Sequence, residues 1–262
     1  MRSKTTVRRV LLAAGVAGAL GLTAAALPAG SAGQRIALVA LTLVKVALLA
    51  AAASWSLASW GRLGAGHPAA RAWGLVGVSF AAFAVAHVVL GVEQLAYATL
   101  PFPSRADAVF TLAQLLLVAA LAGFVKAYRS SGLFSEEGAR RAGALIVAVA
   151  TIAGGLLLWT IAQLPVPRLS GATDALYAVL DLTTIALLAY LARHARHLGG
   201  RVGRVWALLL AGFAVFSIAD VTFGFLDAHD AEPPLIVSQL PFIVAYGLIA
   251  AGSRLQLGLL AD

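Results

Sequence analysis

Seven polar side chains interrupt stretches that are otherwise almost wholly apolar: Lys45, His87, Glu93, Gln114, Asp181, Asp220 and Gln239. Their types allow several chemistries. Asp181 and Asp220 are the pair an enzyme would use as general acid and base. The lysine, histidine, glutamate and two glutamines supply donors and acceptors that can hold a small polar ligand or a lipid headgroup. Paired only with one another, the same groups would fix helix packing.

Other chemistries are missing. With no cysteine, disulfides, thiolate metal sites and cysteine nucleophiles are excluded. There is no Gly-rich phosphate loop, no His-Glu-x-x-His and no Gly-x-Ser-x-Gly. His87 has no second deep histidine to complete a haem axial pair. The last apolar segment has no lysine for a retinal Schiff base. His194 and His197 lie among arginines and read as a solvated basic loop. Neither a metal nor an organic cofactor is expected.

The elements that carry these residues repeat. Asp107, Gln114 and Arg129 form one set; Asp174, Asp181 and Arg196 form a second; Glu232, Gln239 and Arg254 form a third, fainter one. In each, a polar residue follows the acid by seven positions and an arginine follows that by fifteen. Such repeats in a membrane protein predict antiparallel helical hairpins around a shared interior. The opening acids also have a plain role at helix N-termini, where negative charge is favoured.

Lipid is the solvent for this chain. It has 262 residues, 61% hydrophobic and 11% charged, against about 25% charged for a soluble domain. Mean hydropathy is +0.93. Apolar segments fall at about 10–28, 36–60, 73–98, 107–127, 143–163, 174–193, 205–223 and 235–255, each near the length of a membrane span. The expectation is one all-α integral membrane domain over residues 1–262, with about eight transmembrane helices, in the cell membrane. The first segment also resembles a signal peptide ending near Leu27-Pro-Ala-Gly30. Its apolar run exceeds the usual length, so retention as a helix is expected.

Charge predicts the orientation. Fifteen of the nineteen basic residues, from Arg2 and Lys4 through Arg62, Arg129 and Arg204 to Arg254, fall in or beside alternate loops; Arg35, Arg105 and Arg168 face the other way. The positive-inside rule then places both termini in the cytoplasm. The same distribution gives the net charge of +8 a topological meaning and argues against nucleic acid as a partner. The tryptophans Trp55, Trp60, Trp73 and Trp206 lie near span ends, as interfacial anchors do. Trp159 lies deeper, where it could line a cavity.

Depth sharpens the candidate site. Gln114, Asp181 and Gln239 sit seven residues into their helices, roughly 10 Å below one surface. Glu93 and Asp220 are similarly shallow, and Lys45 and His87 lie nearer mid-membrane. Ionisable groups at such depth cost about 2.5–3.5 kcal/mol each on insertion scales, so they should face the interior and pair. The seven predict a polar cavity in the extracytoplasmic half, with Asp181 as the counter-ion of Lys45.

The stretch Leu100-Pro-Phe-Pro-Ser-Arg-Ala-Asp-Ala-Val-Phe110 resembles a Tyr-Pro-Ser-x-Ala-Asp-x-x-Tyr segment. That segment belongs to the multi-span N-terminal membrane region of bacterial diguanylate cyclases (GGDEF/EAL proteins) and some sensor kinases. Ala172 through Leu182, and Leu208–Phe213 with Ile218-Ala-Asp220, look like that region's following helices. The resemblance implies sensing or membrane anchoring. The family continues into a PAS, GGDEF or kinase domain where this chain has Asp262, so signalling is expected to pass through a protein partner. A weaker resemblance, resting on Lys45, Phe216-Ser-Ile-Ala-Asp220 and the last helix, is to lysoplasmalogenase-like membrane hydrolases. Their Gly-Asp motif in a middle span is missing. The leading expectation is a sensory or ligand-binding module in contact with lipid, taking a lipid or small molecule. A membrane lipid hydrolase using Asp181 and Asp220 is an alternative, as is a small-solute transporter.

Overall fold

The computed structural model describes residues 2–25, 31–97, 102–132, 168–196, 199–227 and 235–261, with isolated helical positions at Ala144, Ala148, Ile152, Gly155 and Trp159. Seven long helices run through them: α1 (Arg2–Ala25), α2 (Ala32–Leu63), α3 (Ala70–Ala96), α4 (Arg105–Ser130), α5 (Arg168–Ala195), α6 (Gly200–Asp227) and α7 (Leu235–Leu259). Six of these, α2 to α7, are long and apolar enough to cross a membrane. The chain is an all-helical, multi-pass membrane protein. Apart from the five isolated positions, the span expected over 143–163 lies outside the described residues, as does Glu232.

Most helices outrun their apolar segments. The segment at 36–60 is embedded in a 32-residue helix, roughly 48 Å long at 1.5 Å per residue against a hydrocarbon core of about 30 Å. Hydropathy marks only the part in lipid. The helix itself continues through the interface until capping stops it. Ser31 caps α2 by accepting from Gln34 N at 3.2 Å. At the other end Gly64 turns the chain with φ of 75°, a left-handed conformation suited to glycine. Ser104 and Asp107 form a capping box at the start of α4, with Ser104 N donating to Asp107 Oδ2 at 2.5 Å. The opening acid of the first repeat is thus a helix cap, as its position suggests.

The helices close a ring. α2 packs on α3, α3 on α4, α4 on α5, α5 on α6, α6 on α7, and α7 returns to α2. α1 packs outside the ring against α7 and α2. Without a hydrophobic drive between helices in lipid, close approach and hydrogen bonds hold them. A Cβ on Gly212 would stand 2.7 Å from Ile249 Cγ1 and 2.9 Å from the Ala245 carbonyl oxygen, so α6 and α7 meet at the backbone. Ser79 Oγ donates to the Ala113 carbonyl at 2.7 Å between α3 and α4. Ser56 Oγ reaches Ser253 Oγ at 3.4 Å and Arg62 reaches the Leu257 carbonyl at 3.3 Å, joining α2 to α7.

Where α2, α4, α5 and α7 finish, the ring carries Arg62, Lys126, Arg129, Arg193, Arg196 and Arg254, with Arg71, Arg201 and Arg204 at the adjoining starts of α3 and α6. This is the basic end. An aromatic column fills the interior above it. Trp73, Phe124 and Trp206 meet with ring centroids 5.1 Å (Trp73–Phe124) and 4.9 Å (Phe124–Trp206) apart. Phe80 stacks on Phe213 at 6.4 Å, and Phe83 meets Phe216 edge-on at 6.0 Å. This corrects the expected anchoring role of Trp73 and Trp206: both are fully buried. Their large apolar rings fill the centre, where a residue near a span end can still point inward. Trp60 is exposed, while Trp159, a candidate cavity residue, is 66% exposed and does not line the interior.

Helices α4, α5 and α7 bury the same register. Gln114, Asp181 and Gln239 are buried; so are Leu121, Leu188 and Tyr246 seven residues on, and Phe124, Leu191 and Ile249 three beyond those. Seven and ten residues are close to two and three turns, so each set lies on one helix face. That face points into the ring.

Candidate functional site

At the other end from the basic loops, aromatic filling gives way to polar groups. The transition is at His87 of α3, whose Nε2 lies 2.7 Å from the Tyr246 hydroxyl of α7. Its ring stands edge-on to Phe110 at 5.0 Å. His87 is buried and its Nδ1 has no partner.

Lys45 of α2 donates to Gln239 Oε1 of α7, and Gln239 Nε2 donates to Ser238 Oγ at 3.2 Å. This corrects the expected Lys45–Asp181 pairing. α2 borders α3 and α7 but not α5, so the ring order puts Asp181 out of reach. An amide oxygen solvates the ammonium instead. The Lys45 charge is near enough to bear on His87.

Asp181 of α5 meets α4. Gln114 Nε2 donates to Asp181 Oδ1 at 2.7 Å, and both residues are buried. The polar residues seven positions after Asp107 and Asp174 thus face each other directly. Gln114 Oε1 and Asp181 Oδ2 have no hydrogen-bond partner. The Ser217 hydroxyl of α6 lies beside the Asp181 carboxylate without a hydrogen bond of normal geometry. Thr184, one turn along α5, is buried and its hydroxyl is also unpartnered. Asp220, one turn along α6 from Ser217, is half-buried and within electrostatic reach of Asp181, Asp174 and Asp107. Asp107 also accepts from the Tyr177 hydroxyl at 2.8 Å. Each unmade hydrogen bond on a buried group costs about 1–3 kcal/mol, so a cluster of such atoms is an uncommon arrangement.

No protein-family model, curated protein or solved structure matches this chain.

The seven candidates therefore divide. Gln114, Asp181 and Asp220 lie together with Ser217 at the junction of α4, α5 and α6. Lys45 and Gln239 form a pair between α2 and α7, and His87 with Tyr246 bridges α3 and α7. Glu93 stands apart: its Oε1 accepts from Arg105 N at 3.3 Å at the start of α4, where a carboxylate favours the helix dipole. Its other carboxylate oxygen, Oε2, is buried without a hydrogen-bond partner. A groove lies elsewhere, on the outer side of α2 and α3, with Leu38, Leu43, Val88 and Val92 among an all but wholly apolar lining. Among the described residues no three His, Asp or Glu side chains are arranged as a metal centre.

Sequence reasoning passed over Tyr246, Ser217, Thr184 and Tyr177. Tyr246 follows Gln239 by seven residues and shares its face. Ser217 and Thr184 lie one turn from Asp220 and Asp181. Tyr177 sits one turn after the repeat acid Asp174. Extending each polar position by one or two turns reaches all four, although the bond from Tyr177 to Asp107 follows only from the α4–α5 contact.

Proposed function

We propose that the protein is a membrane-embedded sensory or ligand-binding module, taking a small polar molecule or lipid headgroup into its polar layer and acting through a partner protein. The observation that carries this reading is the set of buried, unpartnered polar atoms around the Gln114–Asp181 pair. A ligand supplying the missing partners would be held by groups already in place. The aromatic column argues against a path through the molecule, and so against transport. The likeness of residues 100–110 to the membrane region of diguanylate cyclases and sensor kinases supports sensing. A second reading, a lipid hydrolase, is favoured by Asp220 lying within electrostatic reach of Asp181.

The orientation belongs to the same proposal. The basic end faces the cytoplasm by the positive-inside rule. Further spans at α1 and over 143–163 would make eight, with both termini inside. Because the chain has no cysteine, single cysteines report cleanly. Phe102→Cys should label with an impermeant reagent in intact cells and Gly66→Cys should not; the reverse pattern would invert the topology.

The functional test is mass spectrometry of whatever co-purifies in mild detergent. Wild type should retain a molecule at near-stoichiometric level, and folded Gln114→Leu should lose it. Equal recovery from both would remove the site from the polar layer. Turnover of lysolipids by wild type, abolished in Asp220→Asn, would favour the hydrolase.

A further inference from the structure

We infer that the junction of α4, α5 and α6 is a binding site for a small alkali cation, sodium above all, held by Asp181, Gln114, Thr184, Ser217 and Asp220. The inference rests on the proposed location of the site and assigns the charge and size of what enters it.

The argument starts from which atoms lack partners. Gln114 Oε1, Asp181 Oδ2, Thr184 Oγ1 and Ser217 Oγ are all buried oxygens. One is an amide carbonyl, one a carboxylate and two are hydroxyls, which either donate or accept. The two hydroxyls are informative because helical serine and threonine have a simple alternative, bonding back to the carbonyl four residues earlier. Thr183, the chain neighbour of Thr184, does this to Val179 at 2.7 Å. Ser59 does it to Trp55 at 2.9 Å, and Ser54 to Ala50 at 2.8 Å. Thr184 and Ser217 do not, although both hydroxyls are buried.

The amide orientation points the same way. Gln114 Nε2 is committed to Asp181 Oδ1, so its carbonyl oxygen is held within a few ångströms of the carboxylate. That placement brings two acceptors together, and the donor beside them, the Ser217 hydroxyl, makes no hydrogen bond of normal geometry. Two acceptors repel unless a positive centre lies between. No basic side chain supplies it among the described residues: Lys45 is bonded to Gln239 across the ring. Asp220 adds a second carboxylate within electrostatic reach.

Cation class follows from the donor set. All the donors are oxygens, so a hard cation is favoured over a soft transition metal. The set has two carboxylates and otherwise neutral oxygens, and the described residues hold no three-residue acidic or histidine cluster. Of the two acids only Asp181 is fully buried, Asp220 being half-buried, and one buried carboxylate among neutral oxygens balances a monovalent ion. The site draws on three helices, so an ion there would fasten α4 to α5 and α5 to α6. Occupancy would then be felt in the packing of half the ring.

The test uses purified full-length protein exchanged into 300 mM choline chloride, with NaCl or KCl replacing choline at constant ionic strength. Sodium should raise the wild-type melting temperature by about 5 °C, with a smaller effect from potassium, and ²²Na⁺ should bind saturably. Ser217→Ala and Thr184→Val, both conservative in volume, should weaken sodium binding about tenfold or more. Asp181→Asn should abolish it, and if that variant does not fold, the two hydroxyl variants decide. Equal melting temperatures in all three salts, or unchanged ²²Na⁺ binding in Ser217→Ala and Thr184→Val, would overturn the inference. So would stabilisation by acid alone, independent of sodium, which would mean that the carboxylates share a proton. An organic ligand recovered from sodium-insensitive protein would leave the ligand-binding reading standing and remove only this inference.

Discussion

The two halves of the ring are built from different materials. In the basic half, aromatic rings from α3, α4 and α6 meet with centroids 4.9–6.4 Å apart, and nearby polar groups end on backbone carbonyls. His194 Nδ1 meets the Tyr190 carbonyl at 2.7 Å, and Arg62 meets that of Leu257. In the other half, buried oxygens of Gln114, Asp181, Thr184 and Ser217 lack hydrogen-bond partners. Dispersion between close-packed rings needs no partner from outside. An unpartnered acceptor does. On the proposed function, stability is concentrated in one half and binding in the other.

Mutations should separate the halves. The largest effect is expected in the column, where Trp206→Ala removes a fully buried side chain. It should lower unfolding free energy by about 3–5 kcal/mol, and folded protein should still retain any co-purified ligand. Loss of ligand without loss of stability would reverse the assignment of the halves.

Next comes Gln239→Leu, which strands the Lys45 ammonium in the interior. It should cost about 2–3 kcal/mol, and adding Lys45→Met should recover most of that. Lys45→Met and Asp181→Asn share no partner, so their effects should add within about 0.5 kcal/mol. Strong coupling in melting experiments would show that the two charges do meet.

The smallest effect tests the wall common to both halves. Gly212→Ala forces a methyl against the Ala245 carbonyl and Ile249 and should cost about 1–3 kcal/mol. Gly15→Ala, with nothing within 4 Å of its new methyl, should be neutral. A tolerant Gly212 would mean that α6 and α7 are not held at backbone contact.

What could be read from sequence follows from what lipid does to composition. Burial was legible: the polar residue seven positions after Asp107 or Asp174 is buried in each case. Which helices meet was not. In water, a polar face tells which side of a helix points out. Here Val88 and Val92 are exposed while Phe80 and Phe83 are buried, and all four are apolar. With no such contrast, Trp73 and Trp206 read as surface anchors, and Asp181 read as the partner of Lys45. Burial corrects the first and ring order the second. Glu93 reads as a site residue because charge in a span suggests function; one of its oxygens meets a backbone N–H at the next helix start and the other is buried without a partner.

The bond between Lys45 and Gln239 also bears on how the protein is made. The two residues are 194 positions apart, and ribosomes add about 5–20 residues per second. Lys45 therefore leaves the ribosome roughly 10–40 s before the side chain that will solvate it. During that interval α2 carries a charge whose native partner does not exist. A helix in that state is a natural client for an insertion chaperone or for the lateral gate of a translocon. Chains ending before α7 would remain in it permanently and should be selectively degraded by membrane proteases.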